Sequence, residues 1–146
     1  IKSDNADKIF KNILDRISGD LKKSNVNFCI EPNSKFYNCN YINNTEQALK
    51  FLKKNDLKNV YINFDTGNAL LENDKVKVKK IEKKYFKNFQ ISEKNLKQLK
   101  KNYKRHLKLL KKLDLENKFL SLEMLNVDLH NIKKNLKKFK LIANKI

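Results

Sequence analysis

Four apolar, β-prone runs punctuate the chain, and each carries an acid or an amide near its end. VNFCIE closes on Glu31, NVYINFD closes on Asp65, NFQIS carries Gln90, and FLSLEML carries Glu123. These positions lie 34, 25 and 33 residues apart. A complete eight-stranded βα barrel of ~250 residues uses about 30 residues per unit, so the spacing assigns one such position to each unit. In parallel α/β proteins the carboxyl ends of the strands form the face where chemistry is done.

Between the runs the apolar residues recur at helical spacing. Over residues 5–23 they are Ile9, Ile13, Ile17 and Leu21, with Phe10 and Leu14 alongside, and Asp4 or Asn5 is placed to cap the start. Asn44 with Gln47 three residues later reads as a cap before a second helix whose Ala48, Leu49 and Leu52 turn inward. Asp74 is expected to open a third helix carrying Val78, Ile81 and Tyr85 on one face. A fourth, over about 102–113, carries Tyr103, Leu107 and Leu110, and Asp128 caps a last one with Leu129, Ile132, Leu136 and Phe139. The order α-β-α-β-α-β-α-β-α signals crossover units and an α/β fold with four parallel strands. Right-handed crossovers keep the helices on one side of each strand pair. With 2 Gly and 1 Pro in the chain, no linker composition divides residues 1–146, which are read as a single domain.

The net charge of +18 invites a nucleic-acid reading, but the composition weakens it. Apart from Arg16 and Arg105 the positive charge is lysine, whereas guanidinium forks favour bidentate phosphate and base recognition. The lysines spread over every segment, in company with the asparagine and isoleucine that an AT-rich genome writes into any protein. Solvated helix faces explain them, and a nucleic-acid partner is not expected. No apolar run approaches the ~20 residues of a membrane helix. Cys29 and Cys39 are too few for a disulfide framework and lack metal-ligand spacing, which makes a reducing, cytoplasmic setting the expectation.

Three carboxylates brought to one rim would repel unless a positive charge sat among them, and a divalent cation is the economical answer. Hard oxygen donors suit Mg²⁺ or Mn²⁺. Any one of these acids alone could instead cap the next helix or pair with a lysine. Three in register favour the shared cation.

The motifs CIEPNSKFYNCNYINNTEQALKFL, VYINFDTGNALLEND, FQISEKNL and FLSLEML resemble, in order, the last four strand-end motifs of the xylose-isomerase-like barrels, a superfamily of sugar and sugar-phosphate isomerases and epimerases. The resemblance covers about residues 26–142. It implies the C-terminal half of a (β/α)8 TIM barrel, and one divalent metal (Mn²⁺, Mg²⁺ or Co²⁺) held by Glu31, Asp65, Gln90 and Glu123. It further implies that Glu31 and Glu123 shuttle a proton on a sugar or sugar phosphate through an enediolate. A non-catalytic barrel that binds a sugar or polyanion is the alternative. Two departures stand out: Gln90 replaces a family histidine, and Asn68 stands three after Asp65 where many members have another. The histidine-rich three-zinc cluster of the apurinic endonucleases that share this fold cannot be supplied here.

Asn33, Asn68, Ser92 and Lys94 follow strand ends and are candidates to bind sugar hydroxyls or a phosphate. Tyr37, in the loop after Glu31, is a candidate cover for the ligand. Gly67 is expected to let the backbone bend beside the metal, and Cys29 to fill a small place in the core. His106 is read as a surface or helix-packing residue and His130 as solvated. Four units, in a chain that opens at Ile1, are expected to need the N-terminal half of the barrel, or a second copy, as partner and to be inactive alone.

Overall fold

The computed structural model describes residues 3–100, 103–116, 118–125 and 128–146, the side chains of residues 3 and 4 excepted. Nine elements alternate in the expected order: α1 (Ser3–Lys23), β1 (Phe28–Ile30), α2 (Thr45–Asn55), β2 (Val60–Asp65), α3 (Thr66–Leu71), β3 (Phe86–Ile91), α4 (Lys104–Leu110), β4 (Phe119–Leu122) and α5 (Leu129–Ala143). The strands form one parallel sheet in the order β1-β2-β3-β4, each beside its neighbour in sequence, as successive barrel units are. Among the described residues no helix is long and apolar enough to cross a membrane.

The two faces of the sheet differ. Phe64, Phe86 and Phe89 interlock on the side the helices cover, with ring centroids 6.3–6.4 Å apart. Ile62, Ile91, Leu14, Leu52, Leu110 and Ile142 complete that core, all at 0–1% exposure. Side chains alternate across a strand, so the opposite face carries Asn63, Asp65, Asn88, Gln90 and Ser121. Among the described residues β1 and β4 have one strand neighbour each, and Phe119 on β4 is 81% exposed.

Several local expectations shift. Asp4 and Asn5 already lie within α1, so neither is its cap. Its buried face runs through Leu14, with Phe10 and Ile17 packed on the core, while Ile9 and Ile13 stay exposed. Asn44 does cap α2, accepting from Gln47 N at 3.0 Å, and Gln47 reaches back to Asn43 N at 2.6 Å. The third helix does not begin at Asp74. It follows β2 directly, with Asp65 as its N-cap, and Asp74 instead accepts from Thr45 N at 2.8 Å, serving the first turn of α2. Residues 80–85 form only a 3-10 turn in which Ile81 is exposed. β3 is longer than NFQIS, beginning at Phe86. The described part of the fourth helix is Lys104–Leu110, and Asn102 lies outside the described residues. On α5, capped by Asp128, the core face is Asn135 and Ile142, while Leu129 and Leu136 are exposed.

Asparagine takes the positions that glycine fills elsewhere. Asn25, Asn38, Asn59, Asn73 and Asn95 all have positive φ, and no glycine does. Asparagine tolerates the left-handed region because its short polar side chain bonds locally.

Candidate functional site

Parallel pairing sets the heights of the rim residues. Ile30 pairs with Ile62, Asp65 with Gln90, and Gln90 with Ser121. Glu31 therefore stands one step beyond β1, level with Asn63. Glu123 follows β4, its N–H still bonded to Ile91 O at 3.0 Å. All four strand-end positions reach the same carboxyl-terminal rim.

Glu31 is held by two amides: Asn63 Nδ2 donates to Oε2 at 2.7 Å and Asn68 Nδ2 to Oε1 at 2.9 Å. Burial, with Asp65 and Glu123 as like charges nearby, pushes its carboxyl up to about 7. Asp65 is 3% exposed. Its Oδ1 accepts from Asn68 N at 2.6 Å and Ser92 Oγ at 2.8 Å, while Oδ2 is buried with no hydrogen-bond partner among the described residues. Burial raises the Asp65 carboxyl to about 6; the bonds from Asn68 and Ser92 oppose this, and Glu123 adds to it. Gln90 Oε1 accepts from Asn63 Nδ2. Among the described residues no three His, Cys, Asp or Glu side chains close up tightly enough to enclose an ion as placed, Glu31 being turned onto its amides.

Asn33 joins this group, its Oδ1 accepting from Asn68 Nδ2 at 3.4 Å. Tyr37 and Lys94 take part in a clasp between two rim loops. Tyr37 Oη accepts from Asn95 N at 2.9 Å, and Lys94 Nζ lies 3.9 Å from the centroid of the Phe36 ring. Gly67 has no positive φ. It is needed for close approach, because a Cβ there would lie 2.8 Å from Ser92 O. Cys29 is half-buried on the strand before Glu31, and His130 is exposed.

A second polar group beneath the rim escaped the sequence. His106 is fully buried, with Nδ1 2.8 Å from Thr66 Oγ1 and Nε2 3.3 Å from Glu93 Oε1. Of its two expected placements, helix packing holds and the surface does not. Burial holds the imidazole below its ordinary pKa, against the pull of Glu93. Burial alone would raise Glu93, but bonds from Arg105, Lys100 N and His106 keep it low. Asn63 was also missed. The signal was present: an amide two residues before Asp65, on the same face of an otherwise apolar strand.

A parallel sheet with its helices on one side and a rim of acids and amides at its carboxyl end defines half of a βα barrel. The chain belongs to the xylose isomerase-like TIM barrel family, whose model matches residues 2–141. Among solved structures it is similar to the apo 3-keto-D-glucoside 4-epimerase YcjR from E. coli (TM-score 0.77, 14% identity, 99% of this chain and 56% of that one). It is also similar to D-psicose 3-epimerase with D-tagatose from Clostridium cellulolyticum H10 (0.69, 19%, 99% and 50%) and to an L-ribulose 3-epimerase (0.62, 18%, 87% and 44%). At these identities the likeness is one of fold. The chain spans about half the length of the structures it matches. No curated protein matches its sequence.

Proposed function

We infer that this chain supplies half of the active site of a sugar or sugar-phosphate isomerase or epimerase, with the other four βα units completing the barrel. The observation that carries the reading is the buried Oδ2 of Asp65, without a hydrogen-bond partner among the described residues, on a carboxyl that feels the like charge of Glu123 and is felt by Glu31. A buried carboxylate oxygen without a donor is costly, and a divalent cation is the partner its chemistry fits. Glu31, Asp65 and Glu123 are the residues that would hold Mn²⁺, Mg²⁺ or Co²⁺, a hard ion suited to oxygen donors. When bound, the ion supplies Lewis-acid polarisation of the sugar's oxygens.

The chain's own groups have separable tasks. Asn63 and Asn68 fix Glu31, and Ser92 with the Asn68 N–H fixes one oxygen of Asp65 and leaves the other without a hydrogen bond. Glu31 and Glu123 exchange the proton: one carboxylate takes it from the carbon beside the carbonyl, and the other returns it. Asn33, and Tyr37 and Lys94 in the loop clasp, are the side chains proposed to meet sugar hydroxyls or a phosphate.

In the complete barrel, Glu123→Gln is expected to lower kcat at least 100-fold with the fold retained, and chelation to abolish turnover. Full turnover by Glu123→Gln refutes the proton-transfer role. The second reading, a sugar-binding barrel without catalysis, is favoured by Gln90 standing in place of histidine. It predicts binding that survives chelation.

A further inference from the structure

The inner face of the sheet carries a row of amides in which every atom of Asn63 is engaged. Asn63 is 6% exposed. Its Nδ2 donates to Glu31 Oε2 at 2.7 Å and to Gln90 Oε1, and its Oδ1 accepts from Asn88 Nδ2 at 2.9 Å. Both donors and the acceptor are used.

The row has a direction, and Glu31 sets it. Ionised, as it is whenever a cation is bound, Glu31 can only accept, and Asn68 already donates to its other oxygen. The Asn63 atom facing it is therefore nitrogen. That same nitrogen faces Gln90, so Gln90 must offer oxygen, since two amide nitrogens cannot bond one another. On its other side Asn63 offers oxygen, which Asn88 meets with nitrogen. Hydrogen bonds thus run one way, from Asn88 through Asn63 to Gln90.

The consequence falls on Gln90. Its oxygen is turned onto Asn63, and although a second lone pair remains, the Asn63 bond draws on the electron density a cation would need. Its Nε2, with two hydrogens, has no partner among the described residues and is the free end at the rim. We propose that Gln90 is a hydrogen-bond donor to a substrate oxygen, a sugar carbonyl or hydroxyl, and that Asn63 keeps its own oxygen out of the metal's ligand set. The ligand set is then carboxylate only, and the position where the resemblance implies a fourth ligand becomes a substrate contact. This rests on the reading of the rim as a metal-dependent sugar site.

The test is a double-mutant cycle on the complete barrel, with Mn²⁺ alone as probe and calorimetry as readout. Gln90→Met, which removes both polar atoms at nearly constant length, should leave the Mn²⁺ affinity within threefold of the natural protein. Asn63→Asp places an acceptor-only group beside Gln90, so the amide turns over and frees its oxygen. In that background Gln90→Met should weaken Mn²⁺ at least tenfold, the charge of the new aspartate being common to both proteins. With Mn²⁺ bound, Gln90→Met should also weaken oxalate, a planar mimic of an enediolate, about tenfold. A tenfold loss of Mn²⁺ from Gln90→Met in the natural background makes Gln90 a ligand and overturns the proposal while leaving the sugar-site reading intact. That arm stands even if Asn63→Asp fails to fold. No effect of Gln90→Met in either background overturns Asn63's part, and unchanged oxalate affinity overturns the donor role. A natural protein that binds no Mn²⁺ removes the metal site itself, and the proposal with it.

Discussion

In the metal-free protein Asp65 is a carboxyl group that the fold holds more comfortably protonated, and replacing it should expose that cost. Its pKa is raised from 3.8 to about 6, first by burial. The unfolded carboxyl gives up its proton near 3.8 and the folded one near 6, so the folded state binds the extra proton. Stability therefore falls as pH rises between about 4 and 6. At about 1.36 kcal/mol per pKa unit, that gap corresponds to ~3 kcal/mol at most. The substitution Asp65→Asn would keep the acceptor for Asn68 N and Ser92 Oγ, but its new NH₂ would take the place of a buried atom that has no partner. Leaving such a group unpaired costs ~1–3 kcal/mol, eased here by the nearby carboxylates, so a net gain of about 1–2 kcal/mol remains. Urea unfolding with chelator present, followed by circular dichroism, should find Asp65→Asn more stable than the natural protein by that amount at pH 8. At pH 4.5 the folded carboxyl is protonated and about 2 kcal/mol of the gap is gone, so the variant should be no more stable than the natural protein and up to ~1 kcal/mol less stable. Equal destabilisation at both pH values would show that Asp65 carries no such cost, and the argument for a missing cation partner would go with it.

Two other perturbations test how the rim is braced. Gly67→Ala places a methyl group 2.8 Å from Ser92 O, where the backbone of the neighbouring strand end must give way. Overpacking of this kind costs ~1–3 kcal/mol, read as a lower melting temperature, and an unchanged one refutes the close approach. His106→Leu removes the buried ring joining Thr66 to Glu93 and leaves polar partners unsatisfied. It should cost ~1–3 kcal/mol, with most of the loss returning in His106→Gln; equal losses in both variants would mean the ring only fills space.

The sequence by itself determined the order of elements and the position of the rim acids. Both are local properties: the period of the apolar residues switches between two and 3.6, and the end of an apolar run fixes where a strand-end acid must stand. Asn44 was legible as the cap of α2 for the same reason, since its partner Gln47 lies within one turn. Tertiary structure decided what depends on contacts between distant segments. Asp74 caps α2 from 29 residues away, so its part could not be read from its own neighbours. Ile9 and Ile13 carry a helical pattern as good as that of Phe10 and Leu14, and only the packing of α1 on the core, where Phe10 meets Phe51 of α2 and Tyr41, selects which pair is covered. The same holds at the rim. That Glu31, Asp65, Gln90 and Glu123 share a face followed from their spacing. That Asn63 saturates between Glu31, Gln90 and Asn88, and that His106 lies buried under Thr66 and Glu93, did not. A hydrogen bond has a direction as well as a distance, and direction is settled only once every competing donor and acceptor has been placed.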